Sequence, residues 1–318
     1  MTDSTTLQDL DAALGSQYIV VREIPQPAGF STFAARVADD GSSVEIKTLP
    51  IDMLGGVPPL SASELETRWI QHPNVVPIVA GGSQGNTFFW ISPEIEGRTL
   101  RTRLSRGGKM EMRDALTVLR DVSAGLTHAH LHGIVHGGLT PDSIIISGGS
   151  ALVADLGVAE AFTALRRSHS SERMTTPTSG EPLRYASPEQ GSGGKADTRS
   201  DVYSWGVIAY ELLGGRHPFA GRTTPREMMT AHSDEEPPAL VMSGVDVPAG
   251  VTKLVMRCLS KDPAQRPETA RQVLDAMTRE MLVPEPAPPA GSGQKAVMIL
   301  LVLAVLAIAA MAWMGMHQ

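Results

Sequence analysis

The side chains able to do chemistry sit in three short stretches. Val44-Glu45-Ile46-Lys47 alternates apolar and polar residues, so Lys47 points away from the apolar face of a half-buried strand. Asp155-Leu156-Gly157 follows directly on the apolar run Ala151-Leu152-Val153-Ala154 and puts a carboxylate at a turn. Between them lies His136-Gly137-Gly138-Leu139-Thr140-Pro141-Asp142-Ser143, which offers an imidazole, two hydroxyls and the Asp142 carboxylate, but no side chain at Gly137 or Gly138. Taken singly these say little, because a lone strand lysine is commonly a solvated group and an Asp-x-Gly step commonly an ordinary turn. Order and spacing have to carry the argument.

Composition removes several classes of chemistry. The single cysteine, Cys258, excludes an internal disulfide framework and a cysteine-cluster metal site. A formal net charge of -7 gives the molecule no electrostatic reason to seek nucleic acid, so no nucleic-acid partner is expected. At 318 residues the chain is long enough for one large domain or two ordinary ones.

The elements that must position these residues follow from pattern. Residues from Gln17 to about Leu49 favour short strands and turns, and Ser61-Ala62-Ser63-Glu64 opens a helix running to about Ile70. Phe88 to Ser92 is a further strand. Ala115, Val118, Leu119, Val122, Leu126 and Ala129 recur at helical spacing, and that helix ends near Gly133. Ile144-Ile145-Ile146 and Ala151-Leu152-Val153-Ala154, joined by Ser147-Gly148-Gly149-Ser150, form a hairpin. Helices near Asp201 to Leu213, Val251 to Leu259 and Glu268 to Met281 complete a helical second half, and no internal repeat is evident.

Read together, Gln17 to about Met281 resembles a bacterial serine/threonine protein kinase domain. Val44-Glu45-Ile46-Lys47 is similar to the kinase strand whose lysine holds the α and β phosphates. His72-Pro73-Asn74-Val75-Val76 resembles the turn after the helix that carries that lysine's glutamate partner; Glu64 and Glu66 both qualify, only one can face the cleft at a spacing of two on a helix, and Glu64 is preferred. Ile95-Glu96-Gly97-Arg98-Thr99-Leu100 resembles the link between the kinase lobes, with Ser92 at the position that gates the adenine pocket. Asp155-Leu156-Gly157 is similar to the Asp-Phe-Gly motif, whose carboxylate ligates magnesium. Ala186-Ser187-Pro188-Glu189, Asp201-Val202-Tyr203-Ser204-Trp205-Gly206 and Lys261-Asp262-Pro263-Ala264-Gln265-Arg266-Pro267 resemble three structural motifs of the helical lobe. The resemblance implies an ion pair between Glu189 and Arg266 and an aspartate, Asp201, bonded to the backbone of the loop that begins at His136. It also implies an α+β fold: a bilobal kinase-like domain with a small β-rich first lobe and a larger helical second lobe.

The chain departs from the family where the chemistry is done. Active kinases carry His-Arg-Asp-Leu-Lys-Pro-x-Asn at the loop; here Gly138 stands at the catalytic aspartate, Thr140 at the lysine, Ser143 at the asparagine and Gly137 at the arginine. A glycine cannot orient a substrate hydroxyl or accept its proton, and a positioned base is worth about 10²- to 10⁴-fold in rate. Asp142 occupies a spacer position and should point elsewhere. Pro25-Gln26-Pro27-Ala28-Gly29-Phe30-Ser31 replaces the glycine-rich phosphate loop, and each proline removes a backbone amide. Gly29, Lys47, Glu64 and Asp155 are the residues the resemblance would set against ATP, and Asp155 against magnesium. The expectation is therefore a pseudokinase that acts as a signalling scaffold or allosteric module for a protein partner, with binding of ATP and magnesium left open. The alternative is a weakly active or unconventional serine/threonine kinase.

The remaining segments concern location. Met1 to Gly15 is polar and acidic and does not read as a secretory signal. Pro284 to Gly293 reads as a semi-extended spacer. Ala296 to Met314 is an uncharged apolar run close to the roughly 20 residues that span a bilayer. The expected organisation is a tail over 1–16, a kinase-like domain over 17–283 with lobes 17–92 and 93–283, a linker over 284–295 and a single transmembrane helix over 296–314. Lys295 beside the run favours a cytoplasmic domain held at the membrane.

Overall fold

A computed structural model of the protein describes residues 10–25, 31–51, 71–105, 110–158, 181–240 and 247–282. The chain divides into two units, Met1–Glu280 and Met281–Gln318, and the architecture below is that of the first.

Its first lobe is an antiparallel five-stranded sheet built from β1 (Tyr18–Ile24), β2 (Ser31–Val37), β3 (Ser43–Pro50), β4 (Ala80–Gln84) and β5 (Thr87–Pro93), in the order β1-β2-β3-β5-β4. Because strand side chains alternate faces, the pairing of β3 with β5 sorts their residues into two sets. Val44, Ile46, Phe89 and Ile91 enter an apolar cluster with Phe33 and Ala35, whereas Lys47 lies opposite Trp90 on the other face. The cluster also contains Leu10 and Leu14, exposed by no more than 4 %. The packed lobe thus starts before the expected boundary at Gln17, since burying two leucines is worth about 1.5–3 kcal/mol each.

The second lobe is helical: α1 (Leu100–Ser105), α2 (Met112–Leu131), α3 (Glu181–Arg184), α4 (Pro188–Gly191), α5 (Thr198–Gly214), α6 (Pro225–Asp234), α7 (Ala249–Cys258) and α8 (Ala270–Leu282). A small sheet, β6 (Arg98–Thr99), β7 (Ile144–Ser147) and β8 (Ser150–Val153), lies between α1, α2 and the first lobe. Gly148 and Gly149 turn the β7–β8 hairpin with φ of 55° and 86°, the left-handed conformation a two-residue turn requires. Every residue of α5 from Ser200 to Leu213 is buried, so this helix is the axis of the lobe rather than a surface amphipathic one. Asp197 caps its amides at 2.8 and 3.0 Å. Gly206 lets α7 approach, since a Cβ there would lie 2.8 Å from the Cβ of Cys258.

The turn over residues 72–76 stitches the lobes together. Asn74 donates its side-chain amide to Ala151 O at 2.9 Å, Val153 N–H donates to Asn74 O at 2.9 Å, and Val76 N–H donates to Val153 O at 2.8 Å. A strand-rich first lobe and a helical second lobe is the arrangement expected from the sequence. Among the described residues no helix is long and apolar enough to cross a membrane, and the run 296–314 lies outside them.

Candidate functional site

The site forms where β3, β5 and the segment after β8 meet. Lys47 reaches across the cleft so that its Nζ is 2.6 Å from Asp155 Oδ2 and 3.4 Å from Glu45 Oε1. The opposing register puts Trp90 beside Lys47, and its indole N–H donates to Asp155 Oδ1 at 3.0 Å. Both carboxylate oxygens of Asp155 are thereby engaged. Asp155 itself has φ of 62°, and it is the one non-glycine residue with positive φ among the described residues. Aspartate tolerates this region better than most residues, and the bond from Ala154 N–H to Ser143 O at 2.8 Å fixes the turn.

Electrostatics reinforce the pairing. Burial would push the Asp155 carboxyl up, but the Lys47 ammonium and the bonds from Lys47 and Trp90 hold it below its ordinary value. Burial would pull Lys47 down, yet Asp155 and Glu45 keep it above its usual range. For Glu45 burial outweighs the attraction of Lys47, and its carboxyl is raised.

The loop from His136 to Ser143 is clamped from below. Asp201, in the first turn of α5, accepts the backbone N–H groups of His136 and Gly137 at 2.8 Å each, and its Oδ2 lies 2.8 Å from His130 Nε2. Gln190 donates to Gly137 O at 2.8 Å. Gly137 has φ of 67°, which suits a residue without Cβ. At the far end Thr140 and Ser143 close on one another: Thr140 N–H donates to Ser143 Oγ at 3.2 Å and Ser143 Oγ donates to Thr140 O at 2.9 Å. Asp142 lies 3.6 Å from Arg101 Nε, in a network with Glu211 and Tyr185 on the helical side. Burial raises its carboxyl against the pull of Arg101.

Below the loop, Arg266 makes a fork to Glu189 at 2.8 and 2.9 Å, with its side chain wholly buried, and donates to Ser260 O and Lys261 O. Burial would raise Glu189, but Arg266 holds it below the usual carboxylate range.

The structure therefore brings Lys47 and Asp155 together and sets His136, Gly138, Thr140 and Ser143 on one clamped loop. Gly29, Glu64 and Glu66 lie outside the described residues. Sequence reasoning missed Trp90 and Glu45. Glu45 carried a signal, since it stands two before Lys47 on a strand and so on the same face. Trp90 carried none, because its position opposite Lys47 depends on cross-strand register.

Comparison with known proteins agrees with this geometry. The family model described as "Protein kinase domain" matches residues 37–277. The chain is 32% identical over 300 residues to the serine/threonine-protein kinase PknL of Mycobacterium tuberculosis, covering 91% of this chain and 73% of that one. It is 32% identical over 276 residues to the serine/threonine-protein kinase pkn2 of Myxococcus xanthus and 31% identical over 214 residues to the serine/threonine-protein kinase PrkC of Bacillus subtilis. Those two matches cover 83% and 67% of this chain but only 32% and 31% of the relatives' length.

Proposed function

The chain belongs to the protein kinase family, and from that footing we propose that it works as a pseudokinase: a module that binds or allosterically controls a protein partner and transfers no phosphoryl group. The observation that carries this reading is the loop from His136 to Ser143. Asp201 and Gln190 hold its backbone in place, so the loop is built, yet Gly138 presents no base. The Ser143 hydroxyl is bonded to the Thr140 backbone and the Thr140 hydroxyl accepts the Asp142 N–H at 3.3 Å, so both are engaged within the loop's own turn.

Kinases in general use ATP with magnesium, which supplies the charge neutralisation that phosphoryl transfer needs. The residues here are a poor fit for the metal, because each Asp155 oxygen already accepts a bond, from Lys47 or Trp90, and the Ser143 hydroxyl is bonded within its own turn. What the chain's own residues do is different. Lys47 and Trp90 hold the Asp155 turn against the sheet, and Asp201 holds the loop against α5.

The uncharged run Ala296–Met314 supports a further part of the proposal, that the kinase-like domain is held at the cytoplasmic face of a membrane. Deleting residues 284–318 should release the protein from carbonate-washed membranes, and continued pelleting would refute the anchor.

A second reading is favoured by a specific finding. The named relatives are serine/threonine-protein kinases, which speaks for a kinase that transfers the ATP γ-phosphate to protein hydroxyls more than for a scaffold. Coupled detection of ADP from the purified full-length chain separates the two. The pseudokinase reading expects the buffer rate, whereas magnesium-dependent turnover lost in both Lys47→Ala and Asp155→Ala would establish the kinase.

A further inference from the structure

We propose that the Lys47 ammonium is a resident cation standing where a divalent ion would, so that this cleft ligates neither magnesium nor manganese and any anion that enters, a nucleoside triphosphate included, does so by replacing Asp155 on Lys47. The inference rests on the pseudokinase reading and goes past it, since lost transfer alone says nothing about the metal.

Three observations lead here. Asp155 contributes one oxygen to Lys47 at 2.6 Å and the other to the Trp90 indole at 3.0 Å, with 8 % of its side chain exposed. Magnesium demands near-octahedral oxygen ligands at about 2.0–2.1 Å and sheds water reluctantly, so a carboxylate already bonded at both oxygens in a buried setting is a poor ligand. The second carboxylate in reach, Glu45, also faces the ammonium, at 3.4 Å. Two acids thus converge on one lysine. The third observation is Ser143, at the position from which a second ligand would come. Its hydroxyl donates to Thr140 O and accepts from Thr140 N–H, which fills its donor and one acceptor position within the turn.

The consequence of removing the lysine follows from the same geometry. Without Lys47, Asp155 and Glu45 face a cleft lacking their cation, and two carboxylates converging on that vacated position form a set of oxygen ligands for a divalent ion. The variant should gain a property the natural protein lacks, an outcome that a merely structural lysine does not produce.

The test uses the full-length protein and manganese as the probe. Paramagnetic resonance of free Mn²⁺, in the absence of nucleotide, should show no binding to the wild type at millimolar metal. Its thermal unfolding should be the same in Mn²⁺ and in EDTA, and the same with ATP in Mg²⁺ as with ATP in EDTA. Lys47→Met should bind Mn²⁺ at least tenfold more tightly than the wild type and unfold at a higher temperature with the metal, reversibly by EDTA. The proposal is overturned if the wild type binds Mn²⁺ and Asp155→Asn does not, or if a folded Lys47→Met ignores the metal. Should Lys47→Met fail to fold, the wild-type and Asp155→Asn titrations decide alone. Bound manganese without label transfer would sink this inference and leave the pseudokinase reading standing; transfer requiring the metal would sink both.

Discussion

At Gly138 the loop lacks a side chain, and supplying one should not be enough. Gly138→Asp is expected to remain without measurable phosphoryl transfer, because Thr140, Ser143 and the Lys47–Asp155–Trp90 contact are unchanged; transfer in that variant would mean that the base was the sole deficit. Arg266 makes the opposite kind of contribution. Its guanidinium is buried in a fork to Glu189 with further bonds to backbone carbonyls, so Arg266→Ala leaves the Glu189 carboxylate without its cation and the Ser260 and Lys261 carbonyls without this donor. Urea denaturation should show a loss of about 3–5 kcal/mol. Lys47, Asp155, Glu189, Arg266 and the altered loop were all legible in the sequence, because each sits in a run with fixed neighbours. Trp90 was not, since the contact it makes depends on which residue of β5 falls opposite Lys47, and a strand's own pattern does not encode its register.

Elements set these side chains by packing and capping. Asp201 does so through the first turn of α5, where its carboxylate accepts two backbone N–H groups of the loop. Asp201→Ala should cost about 1–3 kcal/mol for each buried donor left unmade, measured by chemical denaturation, with the cysteine-free core of the sheet unaffected. The close approach of α5 and α7 gives a second expectation. In Gly206→Ala the added methyl must meet Cys258 at 2.8 Å, and the overpacked helix pair should lose about 1–3 kcal/mol. The β7–β8 hairpin and α2, α7 and α8 were readable because their periods are clean and glycines mark the turns, and α5, buried all round, was readable from the run that begins at Asp201. β4 was not: Ala80-Gly81-Gly82-Ser83-Gln84 has no apolar alternation and is strand only because β5 pairs with it. α1 was missed for a related reason, being a six-residue helix stabilised by the lobe it borders, whereas α6 carried a signal that went unread, the capping box of Thr224 and Glu227 around Pro225.

Over the whole molecule, buried histidines should govern the response to mild acid. His217 and His232 each direct Nε2 at Arg184 O, at 2.7 and 2.8 Å, while Nδ1 of His217 accepts the Phe219 N–H and Nδ1 of His232 lies 2.9 Å from the Tyr203 hydroxyl. Burial pushes both down to about 3, so they are neutral in the folded protein and take up protons on unfolding. Their contribution is present above the unfolded value near 6.5 and is lost as pH falls toward 3. Between pH 6.5 and 4.5 each should remove up to about 1.4 kcal/mol of stability per pH unit, and His217→Gln should flatten that slope in urea titrations. The bilobal plan was legible from the order of strands then helices. The start of the packed domain was not, because Leu10 and Leu14 are too few to declare a helix and become core only against the sheet. The central claim is that a kinase fold persists here without its chemistry. The most direct measurement incubates the purified full-length chain with γ-labelled ATP, magnesium and protein acceptors and counts label on hydroxyl side chains. The account predicts no label above the no-enzyme background; label that appears with the wild type and vanishes with Lys47→Ala would contradict it.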